Sequence, residues 1–164
     1  MTVTRHWPLV LAVLLALVTP PLARATTTPP ISGNVLGIVI CQPPQCPGQA
    51  FAGSFVGTID TSAVTTAFGV SIRYDHLPTL SDPPMPIAAG GWIIHPAVSA
   101  PSYGGSVTNG TITAIGIHGQ PTNTYMVSAT FVLTPGGVSA GTLTFSGILN
   151  ANAIPPSMIG SLSQ

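Results

Sequence analysis

Outside its first 25 residues, this chain has few side chains able to move a proton, hold a metal ion or attack a substrate. His76, His95 and His118 are too widely spaced for the His-x-His or His-x-x-x-His patterns that aim two rings at one ion. The acids are Asp60, Asp75 and Asp82, and Arg73 is the single cation. Asp75 and His76 are neighbours, and on a strand neighbours point to opposite faces, so the pair does not make a charge relay. Arg73 and Asp75 lie two apart and would share a strand face as an exposed ion pair worth roughly 0–1 kcal/mol.

Gly137-Val138-Ser139-Ala140-Gly141 has the Gly-x-Ser-x-Gly spacing of a nucleophile elbow. That motif exposes a serine at a sharp strand-to-helix turn. Here it follows Pro135-Gly136 and runs into Thr142-Leu143-Thr144-Phe145, which reads as strand. The chemistry lacks its scaffold, and neither a catalytic, a cofactor nor a metal site is expected. Trp92, Tyr103 and Arg73 are the candidates for ligand contact. Trp92 shares a face with Ile94 and reads as core or core-edge, whereas Tyr103, beside Gly104-Gly105, reads as a loop residue able to stack on a sugar ring.

Cys41 and Cys46 enclose Gln42-Pro43-Pro44-Gln45. In an oxidising compartment the expected product is a short-range disulfide that pins a turn, with the chain-entropy model giving about 2 kcal/mol. The N-terminus agrees with that compartment. Arg5 and His6 precede an apolar run over residues 9–18, then Pro20-Pro21 and the small-x-small triplet Ala23-Arg24-Ala25. This reads as a secretory leader over residues 1–25, its apolar run too short to span a bilayer, leaving one domain over 26–164. The expected location is extracytoplasmic: periplasm, cell surface or medium.

Charged residues make up 4% of the chain, and there is no lysine. Past the leader, one Arg faces three Asp, far too little to capture nucleic acid. No second apolar run is long enough for a membrane helix.

The elements that must position these residues read as strands, since 3.6-residue periodicity is absent and β-branched residues recur. Strand patterns occur over residues 34–41, 51–59, 68–74, 91–95 and 111–118. The clearest unit is a hairpin in which Tyr125, Val127, Ala129, Phe131 and Leu133 face Leu143, Phe145 and Leu149 across Pro135-Gly136-Gly137. Asn109-Gly110 is a second turn signal, and with Thr111 it also forms a glycosylation sequon. Residues 78–86 and 96–101 read as Pro-rich loops, and residues 150–164 as an edge strand or loose end. The expected fold is all-β, a single antiparallel sandwich or small barrel of about seven to eight strands.

A sheet without charge lacks the usual guard on its open edges. The expected function is therefore a secreted, non-catalytic β protein of the cell surface or matrix. It would associate with itself or another extracellular protein by strand addition or flat polar faces. Val35, Leu36, Ile38 and Ile40 mark the expected edge or donor strand. The competing expectation is a small barrel binding an apolar or carbohydrate ligand, with Phe51, Phe55, Phe68, Phe131 and Phe145 lining part of a cavity.

Overall fold

The computed structural model describes residues 29–96, 102–134 and 140–164. The leader, the Pro135-Gly136-Gly137 turn and Ser139 lie outside the described residues. Every regular element described is a strand: β1 (Ile31–Cys41), β2 (Gln49–Ile59), β3 (Ser62–Arg73), β4 (Met85–Ile87), β5 (Ala89–His95), β6 (Tyr103–Ile117), β7 (Gln120–Leu133), β8 (Gly141–Asn150) and β9 (Ser157–Ser163).

The sheet closes on itself. Pairing runs β1-β2-β3-β5-β6-β7-β8-β9 and returns to β1, every contact antiparallel, so the domain is an eight-stranded barrel and not a sandwich. β4 pairs with β6 in the same register as β5, so β4 and β5 behave as one strand interrupted at Ala88. Carried once around the barrel, the register returns to β1 about ten residues from its start, a shear that matches strands tilted roughly 40° around an interior filled by side chains.

Inward positions alternate along each strand and are mostly apolar; among the described residues no polar or charged residue is fully buried. Trp92 stacks on Phe131 (centroids 5.5 Å apart) and Phe131 on Phe145 (5.4 Å), so aromatic rings fill the middle of the barrel. The rings fit because glycines lie beneath them. A Cβ on Gly147 or Gly160 would meet the Phe145 ring at 2.6 Å, and one on Gly33 or Gly57 would meet Phe55 at 2.7 or 2.8 Å. Alternating large and small inward residues is how a narrow barrel packs without voids.

Residues 74–84 close one end. Tyr74 and Leu77 pack against the core, Pro78 is buried, and Asp82 accepts hydrogen bonds from the Thr79 backbone N–H (2.7 Å) and hydroxyl (2.9 Å).

Several sequence expectations are corrected. Asn109-Gly110 is not a hairpin turn. Both residues lie inside β6, where Asn109 (φ 49°) sits at a register shift against β7. This is a β-bulge that bends the strand. The turn of that hairpin is His118-Gly119, both residues at positive φ. The segment expected as a loose end or edge forms β9, an interior strand bonded to β1 and β8. β1 itself pairs along both sides from Gly33 to Ile38, so Val35, Leu36 and Ile38 belong to no open edge, and Ile40 is the bulged residue between Val39 and Cys41. Tyr103 sits on β6 opposite Ile94 and is half-buried, not on a loop.

Candidate functional site

The structure scatters the ionisable groups. His76 and His118 lie on connections at the end closed by residues 74–84, and His95 ends β5 at the other. His95 Nδ1 and the Ser102 hydroxyl are 2.7 Å apart. Among the described residues no three His, Cys, Asp or Glu side chains gather where they could hold a metal ion. β3 stops at Arg73, so Asp75 lies beyond the strand and the shared-face argument for an Arg73–Asp75 pair no longer applies.

Tyr74 is the most perturbed acid. Burial at the barrel end, with a smaller contribution from Tyr125 nearby, pushes its hydroxyl up to about 12. Asp82 moves the other way, held below the usual carboxylate range by the hydrogen bonds from Thr79.

Of the candidate ligand contacts, Trp92 is 4% exposed and its Nε1–H donates to the Val132 carbonyl (3.1 Å), which takes it out of reach of a ligand. Arg73 is exposed and borders an open groove of about 500 Å³. Ala50, Ser71 and Gly91 line the groove along with the Cys46-Pro47-Gly48 segment, and the Cys41–Cys46 disulfide (Cα–Cα 6.0 Å) pins that segment. Gln49 contributes a buried side-chain oxygen with no hydrogen-bond partner. A second groove, about 490 Å³, separates residues 77–81 from the β6–β7 hairpin.

The outer wall carries the most distinctive arrangement. Most outward positions hold Ser, Thr, Ala or Gly, but four adjacent strands present apolar side chains in one hydrogen-bonded row. Leu36 (β1) pairs with Ile159 (β9), Ile159 with Ile148 (β8), and Ile148 with Met126 (β7). Leu36, Ile159 and Met126 are 52%, 57% and 49% exposed, and Ile38, Ile40 and Val56 extend the patch on β1 and β2. The neighbouring row on the same strands is short and polar: Asn34, Ser161, Ser146 and Ser128.

Sequence reasoning singled out Leu36, Ile38 and Ile40 for an edge role, and they lie instead on an outward face. Met126, Ile148 and Ile159 were missed. Their signal was there in the alternation Met158-Ile159-Gly160-Ser161-Leu162, which needs β9 to be recognised as a strand before its parity has meaning.

Compared with known proteins, the chain matches no family model, no curated protein and no solved structure. The fold and its surfaces are thus the basis for a functional reading.

Proposed function

We propose that this protein is an exported, non-catalytic β-barrel of the cell surface or extracellular matrix. In this reading it works by surface contact, associating with itself or with another extracellular protein through the faces of its wall. The observation that carries the reading is the row of exposed Leu, Ile and Met side chains on a wall almost without charge. An apolar patch of this extent lies at the upper end of what monomeric soluble domains expose, and large exposed patches mark contact sites.

Two further features support it. The Cys41–Cys46 disulfide suits an oxidising compartment, and residues 1–25 have the composition of a cleavable leader. Because β1 is bonded on both sides, contact is between faces and not by strand addition at β1. Size-exclusion chromatography with electron microscopy on the secreted protein tests the reading. Oligomers or filaments are expected, and a monodisperse monomer at high concentration that captures no extracellular partner overturns it.

The second reading, a barrel that binds a small apolar or carbohydrate ligand, draws its support from the groove beside Arg73. The five phenylalanines pack in the core with 3% exposure or less, which moves any ligand from the interior to that groove. A thermal-shift screen addresses it, since a ligand bound to the native state raises the melting temperature.

A further inference from the structure

The wall over β1, β9, β8 and β7 carries two adjacent rows of unlike height. The tall row is Leu36, Ile159, Ile148 and Met126, and the short row is Asn34, Ser161, Ser146 and Ser128. Beside the tall row opens a depression of about 520 Å³, lined by Asn34, Ser146 and Ser161 of the short row and bordered by Ile148, Ile159 and Met126. We propose that this face is a two-fold contact between two copies of the chain, in which the tall row of each copy seats in the depression of the other. The proposal rests on the self-association reading above and names the face that serves it.

Three observations favour a second copy as the occupant. The first is shape. Successive outward rows are about 7 Å apart, two residues along a strand. A two-fold axis lying between the rows and parallel to them sets ridge into trough twice over, the self-complementary contact that closed dimers require. A partner of unrelated shape has no reason to find both features at one-row spacing.

The second is charge. β1, β7, β8 and β9 contain no Asp, Glu, Lys or Arg. Two identical faces therefore meet without like-charge repulsion, and a charged partner finds nothing to complement it.

The third is area. Leu36, Ile38, Ile40, Val56, Met126 and Ile159 are each about half exposed. Together they leave on the order of 500–600 Å² of side-chain surface in water, the upper end for the largest patch of a monomer. With the Asn and Ser row as a polar rim, that approaches the roughly 800 Å² each partner contributes to a stable interface.

The test is sedimentation velocity on the full chain, collected as a secreting host releases it, over a concentration series. The wild type is expected to sediment as a dimer. Ile159→Lys puts a charge on the ridge, and Ser146→Trp fills the trough while leaving the ridge intact. Each is expected to weaken dimerisation by at least about 100-fold. Ile93→Lys, on an outward position of β5 away from this face, leaves the dimer unchanged. Circular dichroism confirms that each variant keeps its sheet, and the two face variants act through different positions, so misfolding of one leaves the other as a test.

If the wild type associates but only Ile93→Lys disrupts it, the face is wrong and the self-association reading stands. If the wild type stays monomeric throughout, both the face and self-association fall. If it remains monomeric and binds phosphatidylcholine vesicles in a manner that Ile159→Lys abolishes, the face meets lipid and the dimer proposal is overturned.

Discussion

The seat of Phe145 on Gly160 supports a double-mutant cycle with a worked magnitude. Phe145 is 1% exposed and stacked on Phe131 at 5.4 Å. Phe145→Ala removes that ring from a closed interior and should cost about 3–5 kcal/mol. Gly160→Ala brings a Cβ to 2.6 Å from the Phe145 ring and 2.6 Å from the Ser146 carbonyl oxygen. Overpacking of this kind costs about 1–3 kcal/mol, offset in part by the ~0.5–1 kcal/mol that alanine regains over glycine in chain entropy. When Phe145 is already alanine, the ring clash is gone and only the carbonyl contact remains. Gly160→Ala should then cost about 1–2 kcal/mol less than in the wild type, a coupling in the range seen for touching residues. Urea unfolding followed by circular dichroism measures all four corners, with the slope against denaturant checked for constancy. Additivity within about 0.5 kcal/mol would show that the glycine is not there to seat the ring, and the large-and-small account of the core would fail.

Two further outcomes follow from single features. Tyr74 ionises near its ordinary value in the unfolded chain but only at about 12 when folded, so its stabilising contribution is intact below pH 10 and drains away as the pH climbs towards 12. With part of the ring in water, the effect is discounted to about 1 kcal/mol. Tyrosinate absorbance should show a late-titrating component that Tyr74→Phe removes; a titration curve whose late part Tyr74→Phe leaves unchanged would refute it. Converting Cys41 and Cys46 to serine should lower stability by only about 2 kcal/mol, because the disulfide closes a short loop while the barrel closes through its own strands. Loss of the folded state on reduction would contradict that.

The parts of the fold that were legible are those where alternation is strong and side chains are large. Tyr125, Val127, Ala129, Phe131 and Leu133 announce β7 because every second residue is apolar, and Phe51 and Phe55 do the same for β2. The first half of β6 was not legible. Tyr103-Gly104-Gly105-Ser106 resembles a loop by composition, and only pairing with β5 and β7 makes it strand. Asn109-Gly110 misled for a physical reason: the left-handed conformation that suits a tight turn also suits a bulge, and local sequence does not separate the two. β9 was hidden by its length and by Pro155-Pro156 just before it. The choice between sandwich and barrel lies in the β1–β9 pairing, which joins residues far apart in the chain, such as Gly33 and Leu162. The outer face was legible only as isolated apolar residues, because the row Leu36-Ile159-Ile148-Met126 exists only once four strands are in register.

Closure changes what the scarcity of charge means. In an open sheet, a strand without lysine or inward-pointing charge exposes a row of N–H and C=O groups to other chains. Here the eight strands satisfy one another, and what stays unpaired among the described residues is short, such as residues 62–66 of β3 on the β5 side. The need for charged guards at an edge disappears with the edge. The burden of solubility moves to the faces, which Ser and Thr keep wet over most of the wall. An apolar side chain placed singly on such a wall, as Ile93 is on β5, calls for no partner. Four in one hydrogen-bonded row, flanked by three more on β1 and β2 and by no charge, differ in kind. Ile93 and Ile117 stand exposed elsewhere on the wall, whereas these four align across neighbouring strands in one register. On the reading proposed above, that alignment is what distinguishes a contact face from a merely tolerant surface.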